Sequence, residues 1–181
     1  GGHLSGEHGD GLQRSELNER IFGPELYQAM RAFKRIWDPR LLMNPGKKVD
    51  APSMTENLRY GPSYRARRPK TYLSFAVEGG IDQAVEMCNG AGVCRKLKAG
   101  TMCPSFMATK DEKDSTRGRA NALRNALAGD TLDRPDLASK DVYDTLDLCL
   151  SCKACKTECP SSVDMAKLKT EFLQHYHDVH G

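Results

Sequence analysis

Seven cysteines carry the chemistry this sequence can do, and four of them form the run Cys149-x2-Cys152-x2-Cys155-x3-Cys159-Pro160. That spacing holds iron–sulfur clusters: three closely spaced thiolates wrap one face of a cubane, and the fourth, followed by proline, reaches further. Zinc sites use two separated Cys-x2-Cys pairs rather than a nested run. A disulfide framework suits small secreted chains, and nothing here marks secretion. The chemistry implied is the movement of single electrons.

The other three cysteines are Cys88, Cys94 and Cys103, the last followed by Pro104. Six positions separate Cys88 from Cys94, as they separate Cys149 from Cys155. Aligning the two sets places Ala91 where a second ligand should be. Cys103-Pro104 then matches Cys159-Pro160 in kind, on a longer loop. In two-cluster runs the fourth cysteine ligates the other run's cluster. On that rule Cys103, Cys149, Cys152 and Cys155 form a complete set for a 4Fe-4S cluster. Cys88, Cys94 and Cys159 remain, with an alanine that cannot ligate. That set suits a 3Fe-4S cluster, or a 4Fe-4S cluster with a labile or foreign fourth ligand. The alternative is a single cluster held by Cys149, Cys152, Cys155 and Cys159, with Cys88 and Cys94 as small buried hydrophobes.

Helices must position these thiols. Ser115 can cap a helix running to about Ala128, with Ala120, Leu123 and Leu127 on one face. Ser139 can cap a second, leading through Val142 and Leu146 into Cys149. Ser162 can cap a third, with Asp164 near its positive end and Met165, Leu168, Phe172 and Tyr176 facing inward. Upstream, five glycines among the first eleven residues imply tight turns. Gly23-Pro24 opens a helix whose Leu26, Met30, Phe33 and Trp37 make one apolar stripe, stopped by Asp38-Pro39. The fold class expected is mainly α with a small α+β N-terminal piece. The division expected is a first region at 1–50, a linker at 51–85 that lies across a neighbouring surface, and a helical region at 86–177. One strand-like run, Tyr72–Val77, falls in the linker.

Bulk composition narrows the class. The chain has 181 residues, 39% hydrophobic and 7% aromatic, which leaves thin cores that bound metal can reinforce. A net charge of +3 is too small to argue for nucleic acid. The basic stretch Arg59, Arg65, Arg67, Arg68 and Lys70 is most simply a solvated linker, the other reading being a docking patch for an acidic partner or anionic membrane surface. No apolar run approaches the ~20 residues of a transmembrane segment. The missing initial Met and the abrupt end suggest a piece of a longer polypeptide. Clusters of this kind favour the reducing cytoplasm, with the inner face of the membrane as a peripheral location.

Glu7-His8 in the glycine-rich loop, read from residues alone, is more simply surface than catalytic. The stretch Ser5-Gly6-Glu7-His8-Gly9-Asp10-Gly11, with Asp38-Pro39-x4-Asn44-Pro45-Gly46-Lys47, resembles the C-terminal end of the FAD-linked oxidase family. The cysteine half resembles the α-helical ferredoxin domain of iron–sulfur subunits. Their order resembles the fused bacterial FAD and iron–sulfur D-2-hydroxyacid dehydrogenases. The resemblance implies that Glu7 ligates a divalent ion, Zn or Mn, that His8 takes part in catalysis or substrate binding, and that Asn44 lies at an FAD-domain contact. It implies FAD in the full-length protein and a D-2-hydroxy acid substrate, 2-hydroxyglutarate or a lactate- or glycolate-like acid. The electron acceptor would be a quinone, a flavoprotein or another redox protein, and the full-length protein a homo-oligomer. The family's paired histidine ligands and FAD-binding domain have no counterpart in these residues, so the chain as given should not turn over. The rival class is a non-catalytic iron–sulfur electron carrier.

Overall fold

The computed structural model describes residue 4, residues 8–128 and residues 137–181. It divides into two units, Gly1–Ser63 and Tyr64–Gly181.

In the first unit, α1 (Gly11–Arg14) and α2 (Asn18–Phe22) are short and lead into α3 (Pro24–Trp37), which proline opens as the sequence predicts. The stop after α3 is built by Asp38, whose carboxylate accepts from the backbone N–H groups of Leu42 and Met43 at 2.9 Å each and pairs with Lys34 at 2.6 Å. A second polar knot ties the later turn back to the start of the unit. Buried Asn18 donates to the carbonyl of Lys48 (2.9 Å), and Lys48 pairs with Asp10 (2.5 Å). The stripe on α3 is real but turned outward: Leu26, Phe33 and Trp37 are 49%, 65% and 70% exposed and line an open groove together with Asn44. Among the described residues this unit holds helices and turns and no strand.

The second unit contains α4 (Ile81–Glu86), α5 (Pro104–Thr109), α6 (Thr116–Ala126), α7 (Lys140–Leu146), α8 (Ala154–Glu158) and α9 (Met165–His180). α6 is its axis and packs against α4, α7 and α9. Its cap is the expected one, with Ser115 Oγ accepting from the Gly118 N–H at 2.9 Å, and Ser139 caps α7 on Val142. The α9 cap differs from expectation. Asp164 accepts from the Lys167 N–H at 3.1 Å, while Ser162 sits at φ 51°, in a turn before the helix. Met165, Leu168 and Phe172 face the core as the periodicity requires, with Val85, Met102, Phe106, Leu123, Val142 and Leu146.

The run Tyr72–Val77 is not a strand. Its first two backbone donors are taken by one buried carboxylate: Glu171 of α9 accepts from Tyr72 N–H at 2.9 Å and Leu73 N–H at 2.8 Å. Residues 64–85 thus pack on the helical unit, with Phe75 in the core and Arg68 paired to Asp82. Elsewhere in the basic stretch, Arg59 lies over the Tyr60 ring. No helix among the described residues is long and apolar enough to cross a membrane.

Candidate metal centres

The seven thiols sort around two cavities in the helical unit. Cys103, Cys149, Cys152 and Cys155 line the first, with Ser105, Thr116, Arg119 and Met165. Cys88, Cys94 and Cys159 line the second, with Ala91, Gly92 and Arg117. The spaces not filled by atoms, mouths included, are about 330 Å³ and about 270 Å³. Met102 and Thr116 line both cavities and form their shared wall. Cys159 therefore lies with Cys88 and Cys94, away from the run that contains it.

Local geometry explains the sorting. After α7, Lys169 Nζ holds the loop by donating to the carbonyls of Asp147 (2.9 Å) and Cys149 (2.8 Å). Ser151 and Lys153 both take left-handed backbone conformations, φ 52° and 61°, which coil the run so that Cys149, Cys152 and Cys155 face one space. α8 then carries Cys155 on the first cavity and delivers Cys159, just past its end, to the second. Cys103 stands at the start of α5, where Pro104 follows.

Glu158 sets the register between these two cysteine segments. Its carboxylate accepts from the N–H groups of Thr101 (2.7 Å) and Met102 (3.3 Å) and pairs with Lys96. That grip places Cys103 beside the later run. The spacing alone contains no sign of it, because a glutamate before Cys159 reads as a solvent-facing residue.

The second cavity is assembled by tight turns. Gly90 and Gly92 have φ 82° and 77°, and Asn89 Oδ1 accepts from the Ala91 N–H at 3.0 Å. Arg124 Nη2 donates to the Cys88 carbonyl at 3.1 Å. Ala91 presents an exposed methyl group at the position that has a thiol in the other set.

Each cavity also receives the positive end of a longer helix. The Arg117 N–H, in the first turn of α6, donates to Cys94 Sγ at 3.4 Å. Backbone groups of Met165 and Ala166, in the first turn of α9, hydrogen-bond to Cys155. Burial pushes the Cys94 and Cys155 thiols up, and these N–H donors act against it. Buried thiols of this kind give up their protons to a metal, which supplies the charge that burial withholds. Among the described residues, no three His, Cys, Asp or Glu side chains form a group that could hold a single metal ion. The thiols surround spaces instead of meeting at a point. A polynuclear cluster fits that arrangement, and the all-thiol donor set suits iron–sulfur chemistry.

Of the first unit's candidates, His8 and Asn44 are exposed, Asn44 at φ 46° accepting from Lys47 Nζ at 3.3 Å. Glu7 lies outside the described residues.

Comparison with known proteins matches two parts of the chain to two families. Residues 1–48 match the family described as FAD linked oxidases, C-terminal domain, and residues 84–163 match the 4Fe-4S dicluster domain. D-2-hydroxyglutarate dehydrogenase of Escherichia coli is 32% identical over 216 aligned residues, covering 98% of this chain and 20% of that protein. The glycolate oxidase iron-sulfur subunit of Escherichia coli is 30% identical over 82 residues, covering 45% of this chain and 17% of its own length. D-lactate dehydrogenase of Archaeoglobus fulgidus is 45% identical over 49 residues, covering 27% and 11%. The chain spans about a fifth of the length of the dehydrogenases that it matches from end to end. No solved structure matches. The chain thus joins part of an FAD-linked oxidase domain to a helical 4Fe-4S dicluster domain.

Proposed function

We propose that this chain is the junction between the flavin and iron–sulfur parts of an oxidoreductase that oxidises a D-2-hydroxy acid. The substrate class follows from relatives whose names specify D-2-hydroxyglutarate and D-lactate. The observation that carries the reading is the sorting of seven thiols into a set of four and a set of three around adjoining cavities. Cys103, Cys149, Cys152 and Cys155 would hold a 4Fe-4S cluster. Cys88, Cys94 and Cys159 would hold a 3Fe-4S cluster, or a 4Fe-4S cluster whose fourth iron has a labile or foreign ligand. Such clusters, when bound, accept and release single electrons, which suits them to follow a flavin that takes two from its substrate.

The chain's own residues do the rest. The thiols fix the clusters, the two helix N-termini offset their negative charge, and the buried pair Met102 and Thr116 keeps water out of the wall between them. At the substrate end, Glu7 would ligate a divalent ion, Zn or Mn, and His8 would face the hydroxyl proton. Electrons would leave to a quinone, a flavoprotein or another redox protein.

Iron and sulfide counting on anaerobically prepared protein tests the cluster assignment. About seven or eight irons per chain supports two clusters, about four supports one, and zinc alone refutes the reading. Oxidation of D-2-hydroxyglutarate or D-lactate by the full-length protein with a dye acceptor tests the enzyme class. A full-length protein with clusters but no such oxidation would be an electron carrier.

A further inference from the structure

Arg119 is the only arginine or lysine that is buried among the described residues, at 0% exposure, and it lies against the four-thiol cavity. Its guanidinium is used on every side. Nη1 donates to Cys103 Sγ at 3.4 Å, Nη2 to Ser105 Oγ at 3.0 Å and Nε to the Thr145 carbonyl at 3.2 Å. Behind it stands Asp114, 1% exposed, with Oδ1 3.6 Å from Nη2. Neither oxygen of that carboxylate accepts a hydrogen bond from any described residue. A buried carboxylate without hydrogen bonds is costly, and here only the charge of Arg119 compensates it. Packing alone would be served as well by two apolar side chains. The charges are also ordered about the cavity: Arg119 lines it and Asp114 does not, although the Asp114 backbone carbonyl lies 3.5 Å from Cys103 Sγ.

The three-thiol cavity is treated differently. Arg117 donates its backbone N–H to Cys94 Sγ, while its guanidinium pairs with Glu112 at 2.7 and 3.1 Å and donates through Nη1 to the Gly90 carbonyl at 3.3 Å, with no contact to a thiol among the described residues. Those two side chains are 26% and 43% exposed, so solvent screens them.

We infer that the desolvated Arg119–Asp114 pair sets the reduction potential of the cluster at Cys103, Cys149, Cys152 and Cys155, the arginine raising it and the aspartate holding that rise in check. The inference rests on the assignment of a 4Fe-4S cluster to that cavity. Reduction adds one electron and one unit of negative charge to the cluster; no bond breaks and no proton moves. A fixed cation in contact with a ligand sulfur in a low-dielectric site favours the more negative state. A fixed anion further away opposes it more weakly. The two substitutions must therefore act with opposite sign.

The test is a dithionite titration of the anaerobic holoprotein followed by EPR, reading the four-iron signal that Cys152→Ser removes. Arg119→Gln should shift the one-electron reduction equilibrium toward the oxidised form at least tenfold, a fall of about 59 mV. Arg119→Lys, which keeps the charge, should stay closer to the parent. Asp114→Asn, nearly isosteric, should shift the equilibrium the other way. Arg117→Gln should move it by less than Arg119→Gln. An unchanged potential in Arg119→Gln with its cluster intact overturns the inference. So does a fall in Asp114→Asn, or no change there, and that variant decides the matter if Arg119→Gln loses its cluster. Absence of any four-iron signal in the parent protein overturns the cluster assignment itself, and the inference with it.

Discussion

Beside the four-thiol cavity stands a buried arginine, whereas the arginine at the three-thiol cavity pairs with a surface glutamate; the corner exposed in both holds a thiol, Cys152, in the first and the methyl group of Ala91 in the second. Both receive a helix N-terminus and both touch Met102 and Thr116. The common parts explain how this fold can hold iron–sulfur clusters at all. The differing parts are a set of four thiols beside a desolvated ion pair and a set of three whose fourth corner is an alanine.

That contrast can be erased by supplying the missing thiol. Ala91→Cys should add close to one iron per chain and replace a three-iron EPR signal by a four-iron one. A parent protein with no three-iron signal, and a variant with no gain of iron, would show that the alanine marks no vacancy in a three-iron cluster.

A second change should damage both cavities together, because it strikes the element they share. A Cβ on Gly118, in the first turn of α6, would lie 2.0 Å from the Glu112 carbonyl oxygen. Gly118→Ala must displace either the helix start or the turn that carries Glu112 and Asp114, at a cost of about 2–3 kcal/mol. Thermal unfolding of the holoprotein should show it, with both cluster signals weakened in parallel. Loss of one signal alone would mean that α6 does not brace both sites.

Glu158→Gln should act more narrowly. It weakens the grip on Thr101 and Met102, so Cys103 loses its register while Cys88 and Cys94 keep theirs. The four-iron signal should fall before the three-iron one during air exposure. The reverse order would contradict the role given to Glu158.

The smallest effect concerns the strap that braces α9. Lys167, bonded to Glu78 at 2.9 and 3.0 Å, holds the Glu78 carboxyl below its usual range despite partial burial. Because the folded value is depressed, this contribution is complete above about pH 4.3 and is lost as pH falls through the depressed value. Glu78→Gln should therefore flatten a small part of the acid limb of a stability profile measured on the whole chain. An unchanged acid limb would show that the pair contributes nothing there.

The parts of this architecture that could be read in the sequence are those fixed by local chemistry. Thiol spacing separates four cysteines from three, the same grouping that the two cavities show, because a missing cysteine at position 91 is visible without a structure. Ser115 and Ser139 announce their helices because capping is a one-turn interaction. The parts that could not be read depend on distant partners. Tyr72–Val77 has strand composition, yet its first two donors go to Glu171, 99 residues after Tyr72. Ser162 looks like a cap, but the chain turns at φ 51° there and Asp164 takes the role. Arg119 and Glu158 look like surface charges in the linear sequence. The Leu26, Phe33 and Trp37 stripe on α3 shows the opposite failure: its period is readable, but its exposure in this unit is not.

The central claim is that ligands cross between the two cysteine segments. EPR of the anaerobic Cys103→Ser and Cys159→Ser holoproteins tests it most directly. Cys103→Ser should damage the four-iron signal of the later run, although it lies 46 positions before Cys149, and Cys159→Ser should damage the other cluster instead. A four-iron signal that survives Cys103→Ser and vanishes in Cys159→Ser would contradict the account.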